Sequence, residues 1–173
     1  ELIKYCKKKQ IIFFTSVSDI FSVDVMDKYD IHVLKLTSYD TTNIPLLEHA
    51  AKKNKPIIMS VGGAYLNEVD EAINTIKKYN NNLAVMHCVI KYPAPLESCN
   101  LNSLETLKLA YPNVVIGYSD HTEDPIKAPI VAIVKGAKII EKHITLDKTL
   151  PGADQRFALN PEQLKQMVKE LLA

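Results

Sequence analysis

Two short runs carry the residues best suited to chemistry: Ser119-Asp120-His121-Thr122 and Glu141-Lys142-His143-Ile144-Thr145. Each follows an apolar stretch, Val114-Val115-Ile116-Gly117 for the first and Lys138-Ile139-Ile140 for the second. In extended backbone alternate residues share a face, so Ser119 and His121 point together, as do Glu141, His143 and Thr145. On adjacent strands His121 and His143 can meet. Two imidazoles with carboxylates close by suit a divalent transition ion. A lone histidine is more often a hydrogen-bonded core or surface residue. Two at consecutive strand ends give the metal reading its weight.

Other polar residues stand at the ends of similar apolar runs. Lys35 lies in His32-Val33-Leu34-Lys35-Leu36. A buried lysine there needs an anion or a carbonyl: it can bind a phosphate, form a Schiff base, or snorkel to the rim. Thr15, Ser38, Ser60 and Ser119 are small hydroxyls at four strand ends. With the backbone N–H groups of Gly62-Gly63 they can ring an oxyanion, although each alone reads as a cap or loop residue. Tyr92-Pro93-Ala94-Pro95 makes a stiff loop that presents a phenol. Asp154, in Pro151-Gly152-Ala153-Asp154, can bond its own turn or grip sugar hydroxyls. His87-Cys88 reads as packing.

The elements that must position these residues alternate. Apolar runs at Ile11–Phe14, His32–Leu36, Pro56–Met59, Leu83–Met86, Val114–Gly117 and Lys138–Ile140 read as strands buried on both faces of a parallel sheet. Helical patterns separate them: Ser22–Tyr29, Ile44–Asn54 behind an Asn43 cap, Asn67–Tyr79, Leu101–Tyr111 and Pro125–Lys135. A last helix starts at Asn160-Pro161 with Gln163 completing a capping box, and its apolar stripe is Leu164, Met167, Val168 and Leu171. Leu2, Ile3 and Tyr5 read as a helix already under way at Glu1.

Five or six strands deliver polar residues at their C-terminal ends. That favours a (β/α)8 barrel over an open doubly wound sheet, whose sites cluster at a switch point. A complete barrel takes about 250 residues and eight strands. The expectation is therefore an α/β chain forming a partial (β/α)8 TIM barrel, as a piece of something longer.

Composition excludes other classes. Lys plus Arg is 21 against 20 Asp plus Glu, a net charge of +1, and so even a balance argues against a nucleic-acid footprint. No run approaches the ~18 apolar residues of a membrane span. Cys6, Cys88 and Cys99 are widely spaced and odd in number, as expected for reduced thiols in a cytoplasmic protein.

Taken together, Tyr118-Ser119-Asp120-His121-Thr122, Ile140 to Asp147 and Pro151-Gly152-Ala153-Asp154 resemble the N-acetylneuraminate (sialic acid) synthase family, with its legionaminate, pseudaminate and spore-coat polysaccharide relatives. Phe13-Phe14-Thr15-Ser16, Lys35-Leu36-Thr37-Ser38, Met59-Ser60-Val61-Gly62 and His87-Cys88 through Pro95 extend the likeness over essentially the whole chain. The resemblance implies metal-assisted condensation of phosphoenolpyruvate with an N-acylated amino-sugar aldehyde, with Mn2+ or Mg2+. It matches His121 and His143 to the metal pair. Lys35, Thr15, Ser38, Ser60 and Ser119 match the phosphoenolpyruvate residues, and Tyr92, Asp154 and Asp40 match positions near the acceptor sugar. Glu141 is placed to position a water or move a proton.

The resemblance further implies that residues 1–173 are strands three to eight of the family barrel. The first two βα units and a C-terminal antifreeze-like domain would then be absent, and the full-length protein would be a homodimer. Tyr39, Val89-Ile90-Lys91 and Gln155 depart from the family pattern. Two alternatives stand beside this reading: a non-catalytic truncated paralogue that binds metal, sugar phosphate or a partner subunit, and a Schiff-base aldolase using Lys35.

Overall fold

The apolar runs form parallel strands, several displaced toward the polar residues that follow them. The computed structural model describes residues 1–29 and 31–173, which divide into two compact units, Glu1–Ala84 and Val85–Ala173.

In the first unit the order is α1 (Leu2–Lys8), β1 (Thr15–Ser16), α2 (Ile20–Lys28), β2 (Leu34–Leu36), α3 (Ile44–Ala51), β3 (Ile57–Ser60) and α4 (Leu66–Lys77). The ladder sets Thr15 opposite Leu34 and Ser16 opposite Lys35, then Leu34 opposite Ile57 and Leu36 opposite Met59. Ile11–Phe14, expected as a strand, lies outside this ladder, with Ile11 and Ile12 each 63% exposed. The physical reason is register: β2 begins at Leu34, opposite Thr15, so no β2 residue lies opposite the earlier stretch. Helix starts follow local chemistry. Asp19 caps α2 by accepting from the Ser22 N–H at 2.6 Å, and Asn43 caps α3, whose first turn holds Pro45. The stripes Leu46, Leu47, Ala50 and Val69, Ile73, Ile76 are buried, with the β2 and β3 side chains Leu34, Leu36, Ile57 and Met59 in the same core.

The second unit starts within β4 (Leu83–Cys88) and continues through α5 (Ser103–Ala110), β5 (Val115–Asp120), α6 (Lys127–Val134), β6 (Ile140–Lys142) and α7 (Pro161–Leu171). β5 and β6 pair in parallel, with Tyr118, Ser119 and Asp120 opposite Ile140, Glu141 and Lys142. Residues expected to follow these strands are therefore strand residues themselves, because their side chains satisfy one another. Gly117 sits where β5 approaches its neighbours: a Cβ there would lie 2.9 Å from both Ile139 and Met86. Gly136, at φ +93°, ends α6 in a Schellman turn, with the Gly136 N–H donating to Ile133 O and the Ala137 N–H to Ala132 O. The Asn160–Gln163 capping box forms as expected, but of the α7 stripe only Met167 is buried.

After β6 the chain returns alongside itself. The Leu159 N–H donates to His143 O and the Thr145 N–H to Leu159 O, each at 2.8 Å. This return brings Phe157 into the core, 1% exposed. Among the described residues no helix is long and apolar enough to cross a membrane.

Candidate active site

In the first unit the strand ends gather a basic and hydroxylic set. Lys35, near the end of β2 and 6% exposed, donates from Nζ to Ser60 Oγ at 2.9 Å and to Leu36 O at 3.0 Å. The Ser38 hydroxyl accepts the Gly62 N–H at 2.8 Å, which joins the turn after β2 to the glycine loop after β3. Asp40 is buried, and its Oδ2 accepts from the Thr37 hydroxyl at 2.6 Å, the Thr37 N–H at 3.1 Å and the Ser18 hydroxyl at 3.2 Å. Thr15 stands on β1 opposite Leu34, one ladder position from Lys35. A buried lysine ammonium among hydroxyls, beside a glycine turn in which Gly62 is buried and Gly63 exposed, is a setting that favours an anion.

In the second unit β5 and β6 bring four predicted residues together in pairs. The Ser119 hydroxyl donates to Glu141 Oε1 at 2.6 Å across the ladder. The imidazoles of His121 and His143 meet with ring centroids 5.2 Å apart. His121 Nδ1–H donates to Val89 O at 2.7 Å, which assigns the proton to Nδ1 and the lone pair to Nε2. Burial and the neighbouring His143 lower the His121 pKa, while the Val89 carbonyl, Asp120 and Glu141 oppose them; the result favours the neutral ring. Asp154 Oδ2 lies 3.3 Å from His143 Nδ1, so the predicted turn carboxylate does reach the histidine pair. The Tyr92 ring packs on His121 at 4.0 Å, and the Tyr92–Pro93 peptide is cis. Cys88 Sγ lies 3.9 Å from His121 Nδ1.

Sequence reasoning missed two features here. Phe157 packs 5.2 Å from His143 and 6.2 Å from His121, closing an aromatic wall with Tyr92. Its only signal was an apolar residue just after Asp154. The second is a buried ion pair, Lys142 Nζ to Asp120 Oδ2 at 2.6 Å. Burial lowers the Lys142 pKa while the Asp120 carboxylate opposes it. Strand alternation gave the signal, since these residues occupy the opposite face from His121 and His143 and are ladder partners.

The donor chemistry of the histidine pair fits a divalent ion: adjoining imidazoles, one with its tautomer fixed by a carbonyl. Among the described residues no group of three or more His, Cys, Asp and Glu side chains is arranged to hold a metal. An ion on this pair would take its other ligands from water or substrate oxygens.

Comparison with known proteins bears on what such a site does. A family model described as "NeuB family" matches residues 1–173. The chain is 49% identical over 168 residues to the spore coat polysaccharide biosynthesis protein SpsE of Bacillus subtilis, covering 96% of this chain and 45% of that protein. It is 39% identical over 174 residues to the N,N'-diacetyllegionaminic acid synthase of Campylobacter jejuni, covering 99% of this chain and 52% of that one. The chain thus spans about half the length of these curated relatives. The crystal structure of SpsE superposes with a TM-score of 0.96 at 48% identity, over 99% of this chain and 48% of that chain. A truncated 3-deoxy-D-arabino-heptulosonate 7-phosphate synthase from Thermotoga maritima gives 0.82 at 14% identity, over 99% of this chain and 68% of that chain; this is a likeness of fold alone. The fold is α/β of the partial (β/α)8 class, as expected.

Proposed function

The chain belongs to the NeuB family, and we propose that it carries out condensation of phosphoenolpyruvate with an N-acylated amino-sugar aldehyde, giving a nonulosonic acid and inorganic phosphate. The setting proposed is the cytoplasm, with the native polypeptide acting as a homodimer. The observation that carries the reading is the meeting of His121 and His143 at 5.2 Å.

The roles proposed are those that the family resemblance implies, and the residue chemistry fits them. The Lys35 ammonium, with Ser38, Ser60, Thr15 and Ser119, binds the anionic groups of phosphoenolpyruvate. Tyr92, Asp40 and Asp154 orient the sugar. A divalent ion, Mn2+ or Mg2+, held by His121 and His143 would supply polarisation of the aldehyde oxygen. The enol π-electrons of phosphoenolpyruvate form the new carbon–carbon bond at the aldehyde carbon, and the former carbonyl oxygen takes up a proton. Water adds to the phosphate-bearing carbon, now an oxocarbenium centre. Glu141, already within hydrogen-bond reach of Ser119, takes the proton that water loses. The tetrahedral centre then collapses to a ketone, and the C–O bond to phosphate breaks.

The test is phosphate release by the native polypeptide. It should require the metal, phosphoenolpyruvate and an N-acyl hexosamine together, and His121→Ala should abolish it. Release that persists in His121→Ala contradicts the proposal. Borohydride treatment in the presence of pyruvate should leave Lys35 unmodified; a covalent adduct there would instead support a Schiff-base aldolase.

A further inference from the structure

Asp120 and Lys142 have no part in the chemistry above, yet their side chains are 0% and 3% exposed. We propose that this buried pair positions the two histidines, fixing the end of β5 against β6 and so the separation of His121 and His143; the inference rests on the reading of those histidines as metal donors.

The geometry supports it at each step. Asp120 directly precedes His121, Lys142 directly precedes His143, and the two charged residues are ladder partners. Strand alternation turns them to the face opposite the imidazoles, so they act from behind. Lys142 Nζ reaches past the ladder, donating to Asp120 Oδ2 at 2.6 Å, Thr122 Oγ1 at 3.1 Å, Asp124 O at 3.2 Å and Thr122 O. The Asp120 carboxylate also accepts from the Thr122 N–H at 2.8 Å, the Thr122 hydroxyl at 3.0 Å and the Tyr118 hydroxyl at 3.1 Å. Residues on both sides of His121 are therefore tied to the residue that precedes His143. The last rung of the ladder pairs Asp120 with Lys142, and β6 is only three residues long. An apolar pair of equal volume would fill the space without the desolvation cost of two charges. What the charges add is direction, because an ammonium with several fixed acceptors admits one register.

The experiment measures Mn2+ binding by the native polypeptide, from the electron paramagnetic resonance signal of free Mn2+, without substrates and well below each variant's melting temperature. Two variants are compared with the wild type. The double variant Asp120→Leu/Lys142→Met leaves no uncompensated charge, and Thr122→Val removes one hydroxyl from the network. The double variant should bind Mn2+ at least about tenfold more weakly, the scale of lost supporting contacts at a metal site. Thr122→Val should lose about threefold, one hydrogen bond's worth. Wild-type affinity in a folded double variant overturns the inference. If the double variant fails to fold, Thr122→Val decides it, and unchanged affinity there overturns it equally. A wild type that binds no Mn2+ overturns the metal reading itself and this inference with it, whereas a wild type that binds while the variants match it removes only the positioning role.

Discussion

The His121 and His143 rings lie edge to face, their planes inclined at 64°. Both also pack against Phe157, which is fully enclosed. That contact helps hold the buried His121 and the half-buried His143 as a fixed pair. Truncating Phe157 should cost both packing and orientation. Phe157→Ala is expected to lower unfolding free energy by about 3–5 kcal/mol, measured by urea titration. A loss under about 1 kcal/mol would mean that the wall is not part of the cooperative core.

The Lys142–Asp120 pair makes a different stability prediction. Lys142→Met strands a carboxylate with no exposed surface, and should destabilise by about 3–5 kcal/mol. Adding Asp120→Leu removes the stranded charge and should recover most of that loss. Equal destabilisation in the single and double variants, in equilibrium unfolding, would contradict this account of the pair.

Gly117 leaves no room for a side chain. With Ile139 and Met86 atoms each 2.9 Å from an added Cβ, Gly117→Ala should force β5 and β6 apart and cost about 1–3 kcal/mol. The same measurement on Gly152→Ala separates crowding from backbone preference. Gly152 has φ +142° and its nearest neighbour is the flexible Gln155 side chain at 3.3 Å, so strain there comes from the backbone rather than from a packed core.

Acid sensitivity should localise to the α2–α3 surface. Lys53 and His49 bond to Asp24 and lower its pKa to about 2, below the ordinary 3.8. A carboxylate depressed in the folded state stabilises fully above its unfolded pKa, and that stability is lost as pH falls through the folded value. Asp24→Asn should therefore lower the melting temperature at neutral pH, with the difference shrinking as pH falls from about 4 toward 2. A difference independent of pH across that window would show that the bonds act without the charge.

Much of the site was legible because period-two alternation is strict. It aligned Ser119 with His121 and Glu141 with His143, and the ladder brings the sets together as that rule requires. Helix starts at Asn43 and Asn160 were legible for the same local reason: a cap needs only its own side chain and an N–H three residues on. Strand limits were not. Asp120 and Lys142 look like loop residues until each supplies the other's counter-charge, a non-local fact. Ile11 and Ile12 look like strand residues, yet the ladder does not reach them. Phe157 depends on the chain's return past His143, an event far from any local pattern.

The most direct test follows the bridging oxygen of phosphoenolpyruvate. Substrate labelled with 18O at the C–O–P position is incubated with the native polypeptide, Mn2+ and an N-acyl hexosamine, and the released phosphate is analysed by mass. Condensation followed by water addition at carbon predicts that the phosphate carries the label, and that none is released when sugar or metal is left out. Unlabelled phosphate, or labelled phosphate formed without the sugar, would contradict the proposed reaction.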